Sequence, residues 1–257
     1  MKALHRMIMT STAYRQSSAR TAALDEIDPE NKLYGRMSVR RLEAEVLRDS
    51  VLATSGRLNG KMFGPPVPVM LDDVGQVVPG IENKDGENKN GPPVAMNGED
   101  LRRSVYVQVR RTRPLSVLET FDAPEMSPNC DMRNSSTVAP QSLMLMNSPF
   151  VIEEARDFAK RARSDAGDLR GQVLAAWRLA FGKEPNDEQI KGAMEFVNGQ
   201  VAELKAHPPA AAPEVKPAKA PAKGAPPASP APFDPELAGM TSFCQALLSA
   251  NGFLYVD

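Results

Sequence analysis

Ser148-Pro149-Phe150-Val151-Ile152-Glu153-Glu154-Ala155-Arg156-Asp157-Phe158-Ala159-Lys160-Arg161-Ala162 is the stretch that decides the fold class. Serine followed by proline is a favourable helix start. The hydroxyl can accept a free first-turn N–H, and proline gives up no N–H that the helix would use. Val151, Ile152, Ala155, Phe158 and Ala162 then recur at helical spacing and form one apolar stripe. The same grammar repeats outward. Asp168 starts a segment carrying Leu169, Val173, Ala176, Trp177 and Ala180, stopped by Gly182. Asn186 with Gln189 makes a capping-box pair ahead of Ile190, Ala193, Met194, Val197, Val201 and Leu204. Asp234-Pro235 opens a last helix with Leu237, Met240, Cys244, Leu247 and Leu248, ended by Asn251-Gly252. Toward the N-terminus, Pro140 opens another helix. Ser38 reads as the cap of one that buries Val39, Leu42, Val46, Leu47, Ser50 and Val51. Arg41, Glu45 and Arg48 then point outward, and Gly56 is the stop. Helical periodicity also begins at Met1–Met9.

One β signal interrupts the helices. Val105, Val107 and Val109 alternate with Tyr106 and Gln108, which predicts a strand over 104–109. Val67, Val69 and Leu71, then Val77 and Val78, are its expected partners. The fold class is therefore mainly α with a small antiparallel β-sheet (α+β). Residues 208–232 stand apart by composition, with 9 Pro and 9 Ala in 25 residues. Missing N–H groups and little to bury predict a Pro/Ala-rich disordered linker or insertion. The expected organisation is a single helical domain in residues 1–207 with a small central sheet, the linker at 208–232, and a C-terminal helix and tail at 233–257. That tail, with Leu247, Leu248, Phe253, Leu254 and Tyr255, should dock back on the main domain. Residues 79–100, rich in Asn, Gly, Lys, Asp and Glu, read as a long exposed loop.

Charge and composition exclude several function classes. Of 257 residues, 31 are Lys or Arg and 32 Asp or Glu, a net charge of -1. That balance offers no bulk attraction to nucleic acid or to an anionic membrane surface. No apolar run approaches the roughly 18 residues of a spanning helix. There are two Cys, Cys130 and Cys244, and two His, His5 and His207. They form neither the C-x-x-C-H of a c-type haem nor a four-ligand zinc spacing, so no metal ligand set is expected. The two cysteines allow one disulfide or two buried thiols. Asp72-Asp73 lacks the order of a calcium loop, and glycine-rich phosphate motifs are missing.

Two constellations carry the remaining chemistry. Arg102, Arg103, Arg110, Arg111 and Arg113 crowd around the expected strand. Guanidinium forks grip carboxylates, phosphates and sulfates, so these are candidate anion-binding residues, with ion pairs to Glu119, Asp122 or Glu125 as the structural alternative. Cys130-Asp131-Met132-Arg133-Asn134-Ser135-Ser136-Thr137 holds a thiol and three hydroxyls but no local histidine base. It reads as an ordered loop whose hydroxyls cap the next helix, and no catalytic residue is assigned.

These segments are also where the chain resembles a known family. Leu4-His5-Arg6-Met7-Ile8-Met9-Thr10-Ser11, Tyr14-Arg15-Gln16-Ser17-Ser18, Asp28-Pro29-Glu30-Asn31 and Arg40-Arg41-Leu42-Glu43-Ala44-Glu45 carry the resemblance in the first part. Arg103-Ser104-Val105-Tyr106, Ser136-Thr137-Val138-Ala139-Pro140-Gln141-Ser142-Leu143 and Leu145-Met146-Asn147-Ser148-Pro149-Phe150 carry it in the middle, and the ending from Cys244 to Asp257 completes it. Together they look like the planctomycete secreted PSD domain, domain of unknown function 1553. The resemblance implies a C-terminal module of an exported, periplasmic or cell-surface protein that is linked to cytochrome c. It also implies that this chain is a fragment. On that reading this chain holds no cofactor, and any c-type haem sits in a domain upstream. The module would be non-catalytic, serving interaction or assembly with other domains of the same protein or an exported partner. The alternative is binding or hydrolysis of acidic or sulfated glycans through the Arg-rich strand. An exported setting would permit a Cys130–Cys244 disulfide.

Overall fold

The computed structural model describes residues 1–81, 94–124, 133–209 and 233–256. The elements are α1 Lys2–Met9, α2 Ala22–Ile27, β1 Arg40–Arg41, α3 Ala44–Ser55, β2 Val69–Leu71, β3 Val77–Pro79, α4 Ser116–Thr120, α5 Ala139–Asn147, α6 Pro149–Asp165, α7 Leu169–Phe181, α8 Asp187–Ala206, α9 Pro235–Ser249, α10 Asn251–Leu254 and β4 Tyr255–Val256. Single 3-10 turns occupy Glu99–Leu101 and Ser104–Tyr106. The protein is mainly α with little β-structure: among the described residues the strands form two antiparallel pairs, β1–β4 and β2–β3. No helix among the described residues is long and apolar enough to cross a membrane. The stretch from 210 to 232, the bulk of the Pro/Ala-rich segment, lies outside the described residues, as does Cys130.

Contacts divide the chain into two compact units. One comprises Met1–Leu42 with Ala250–Asp257, the other Glu43–Ser249. In the smaller unit, Arg40 and Arg41 pair with Val256 and Tyr255, and the Leu42 N–H donates to Leu254 O at 2.8 Å. The Asp28-Pro29-Glu30-Asn31 turn closes on itself. Asp28 accepts the N–H groups of Lys32 and Leu33, and Arg36 donates to the carbonyls of Asp28 and Pro29.

The larger unit is built around α6. Pro149 is its first residue and Ser148 its N-cap, though the serine side chain makes no capping bond. Val151, Ala155, Phe158, Ala159 and Ala162 are at most 1% exposed. The three alanines among them let neighbouring helices approach closely, and α6 packs against α3, α5, α7 and α9. The α7 stop at Gly182 has φ +66, as a left-handed C-cap requires, and the Asn186–Gln189 box forms with both bonds at 2.8 Å. Asp234 caps α9 by accepting from the N–H groups of Glu236 and Leu237. Met240, Phe243, Cys244, Leu247 and Leu248 of α9 are buried. Cys244 is a free thiol, and burial pushes its pKa up.

Two expectations need correction. The helix after Ser38 starts only at Ala44, because residues 40 and 41 pair as β1. Its buried face is also rotated: Val46 is 45% exposed, whereas Arg48 is 2% exposed. The strand over 104–109 does not form. Asp49 captures the Ser104 N–H, and a 3-10 turn consumes those of Tyr106 and Val107. One isolated parallel bridge, Val67 to Val107, remains of the three-segment sheet, while β2 and β3 pair with each other. Val67, Val69, Val77 and Val107 still share a small core, joined by Leu115, whereas Val105 and Val109, expected on the same face as Val107, are exposed.

Gly239 lets α9 approach α8 closely. A Cβ there would lie 2.7 Å from Val201 Cγ2 and 3.3 Å from Val197 O on α8. Gly239→Val is therefore expected to cost about 2–3 kcal/mol through overpacking. Gly192, exposed on α8 with nothing within 4 Å of its would-be Cβ, should respond oppositely. Gly192→Ala is expected to gain about 0.5–1 kcal/mol from helix propensity. Urea melts of the two variants check both signs.

Candidate functional site

Arg48 leaves the buried face of α3 and reaches the segment that precedes Val107. Its guanidinium donates to Arg102 O at 2.9 Å, Asp100 O at 2.7 Å and Ser104 Oγ at 3.3 Å. Its neighbour Asp49 accepts both the Ser104 N–H and the Ser104 hydroxyl at 2.7 Å. Consecutive residues on α3 thus hold one loop by complementary charge. A buried guanidinium needs such satisfied partners, because unpaired carbonyls and charge would be costly there.

The second arginine continues the network. Arg102 is fully buried and donates to Pro65 O at 3.0 Å, to Phe63 O, and to Glu99 Oε2 at 3.3 Å. Its guanidinium lies 4.1 Å from the centroid of the Tyr106 ring. The Tyr106 hydroxyl accepts the Phe63 N–H at 3.1 Å. That bond, with Arg103 and Arg102 close by, holds the Tyr106 pKa below its usual value. Arg102, Tyr106 and the Phe63 backbone therefore form a clamp.

The five arginines named from sequence take different roles. Arg102 is inaccessible and committed to carbonyls, which removes it from any exposed anion cradle. Arg103 is exposed and sits 5.7 Å from the Tyr106 ring centroid. Arg110 donates to Gln108 Oε1 at 3.3 Å. Arg111 is exposed, and Arg113 is partly buried. In the described part of the polar loop, Ser136 uses its N–H and hydroxyl on Asp122 at 2.8 Å, and Gln141 of α5 reaches Thr120 O at 3.1 Å. Arg133 grips Glu45 at 2.7 and 3.2 Å. Among the described residues, no group of three or more His, Cys, Asp or Glu side chains could hold a metal ion.

A second buried charge joins α3 to α6. Glu154, 1% exposed, meets the Ser55 hydroxyl at 2.5 Å and Arg57 at 3.2 Å. Arg161 donates to the last-turn carbonyls of Ala53 and Thr54 at 2.9 and 3.0 Å, satisfying the end of α3. Desolvation raises the Glu154 pKa, opposed by Ser55 and Arg57. A shallow groove beside them is lined by Gly56, Leu58, Lys160, Arg161 and Ser164. Its two cations are already spent, Lys160 on Asp157 and Arg161 on the α3 carbonyls. Sequence reading missed Glu154 and Arg48 because both sit where a polar residue suits a solvated helix face.

Two outcomes follow from the buried charges. Arg48→Met leaves the Asp100 and Arg102 carbonyls and the Asp49 carboxylate without their cation, and is expected to cost about 3–5 kcal/mol in denaturant melts. A raised folded-state pKa at Glu154 means that its contribution is fully present below the unfolded value and is lost as pH rises through the folded one. The stability difference between Glu154→Gln and the parent should therefore shift in favour of the variant from about pH 4 to pH 7. Melts across that range that move the other way would contradict the assignment.

Comparison with known proteins gives a family and no activity. A family model described as PSD1, a protein of unknown function (DUF1553), matches residues 1–197. No curated protein and no solved structure matches the chain. The matched span contains α3, the Arg48–Arg102 network, the Ser136–Gln141 turn and α6; the C-terminal resemblance from Cys244 onward lies beyond it. With most of its length matched, including every residue of the Arg48–Arg102 network, the chain belongs to the PSD1 family of unknown function.

Proposed function

We propose that the chain acts as a non-catalytic interaction module. The observation that supports this most is how the polar constellation is spent. Arg48 and Arg102 are buried against carbonyls, and Asp49 is committed to Ser104. Such groups shape a surface rather than present a nucleophile and base to a substrate. The quoted sequence motifs support the setting within the same proposal. They point to an exported protein of planctomycete type in which a c-type haem resides in another domain of a longer polypeptide, and in which this module meets that polypeptide or an exported partner.

The test is made in the native host. The tagged gene product is fractionated and crosslinked in place. Recovery in the exported fraction, joined within its own polypeptide or to a second one in a discrete species, is the expected result. Recovery as an uncrosslinked monomer in the cytoplasm would overturn both parts of the proposal.

A further inference from the structure

We infer that the Met62–Phe63 tip is the docking element of this module, an apolar anchor for a protein partner whose pocket is apolar and edged with carboxylates. The inference rests on the interaction-module reading and names the surface that carries it.

Phe63 is 77% exposed and Met62 is 60% exposed. The Phe63 backbone has φ +64, in the left-handed region that a bulky side chain rarely occupies. An exposed ring on strained backbone contributes nothing to folding, so the geometry must be imposed from outside the loop. Three hydrogen bonds with two side chains impose it. The Tyr106 hydroxyl takes the Phe63 N–H, and the buried Arg102 guanidinium takes the Phe63 carbonyl. Gly64 follows at φ +91, and the same guanidinium then holds Pro65 O at 3.0 Å. Strain kept in place by an over-determined surround is characteristic of functional sites.

The chemistry of the tip selects the partner. A ring already fixed in position loses little entropy on binding, which favours insertion into a shaped pocket. A lipid surface has no shape and would gain nothing from fixing one ring. The charge beside the tip is positive. That charge is carried by Arg103, exposed next to Tyr106, since Lys61, adjacent to the tip, is paired with Glu99. Complementary charge on the partner is therefore carboxylate.

The probe is a displayed library of random peptides panned against the whole chain. Selected peptides should combine a small apolar cluster with Asp or Glu. Their affinity should fall at least about 10-fold in Phe63→Gly and about 3- to 10-fold in Arg103→Glu. Val74→Ser, at an equally exposed apolar side chain on the β2–β3 turn, should leave it unchanged. Phe63→Gly keeps the fold and relieves the strain, so its Tm should be equal to or roughly 2–4 °C above the parent. Peptides that bind Phe63→Gly undiminished, or no apolar-acidic enrichment, would overturn the inference. So would Phe63-dependent binding to phosphatidylcholine–phosphatidylglycerol vesicles, which assigns the tip to lipid. Phe63-dependent self-association in sedimentation would overturn it as well, by assigning the tip to a second copy. If Phe63→Gly still crosslinks in the native host, the tip assignment falls while the module reading stands.

Discussion

The guanidinium of Arg48 is the constraint on which the middle of the larger unit depends. It sits inside the fold with its charge balanced by Asp49 and its donors spent on two carbonyls and a hydroxyl. Because those carbonyls belong to Asp100 and Arg102, one side chain of α3 sets the backbone of a segment more than 50 residues away. Arg102 inherits that placement. Its own guanidinium then fixes Phe63 O and Pro65 O, so a second loop is held at one remove from α3. Two buried cations in series carry order from a helix to a surface tip.

The same economy appears at the end of α3. Its last carbonyls would be orphaned, and α6 satisfies them with Arg161. Glu154 and Ser55 close the join from the buried side. Hydrophobic burial along Ala155, Phe158, Ala159 and Ala162 supplies the driving force, while the polar pairs specify how α3 and α6 are registered. A hydrophobic seam made largely of alanine is smooth and tolerates sliding, so specific polar bonds are what select one register.

The membership shown by comparison and the geometry fit together. The span that matches the family contains the clamp, and the clamp holds an exposed apolar tip on backbone that would not adopt that shape unaided. The stability of the scaffold and the presentation of the tip therefore share one set of residues. A change to Arg102 would reach both.

Much of the helical architecture was legible in the sequence alone. Ser148-Pro149, Asp168 with Gly182, Asn186 with Gln189, and Asp234-Pro235 mark helix ends by local chemistry, and each helix they announce is present. Local signals suffice there because capping and periodicity are properties of neighbouring residues. Val67, Val69, Val77 and Val107 were legible as apolar partners and are buried together, but their pairing was not legible. Ser104–Val109 has the alternation of a strand, yet its backbone donors are claimed by Asp49 and by a 3-10 turn. Arg48 and Glu154 have the spacing of solvated residues and are buried, and Arg102 looked like an anion ligand and is a strut. Phe63 carried only the weak signal of an apolar pair before Gly64-Pro65-Pro66. In each of these cases the deciding bond joins residues distant in the chain. Composition and periodicity determined which segments become helices. Only the tertiary structure decided which charges go inside, because that depends on a carbonyl or carboxylate arriving from elsewhere to meet them.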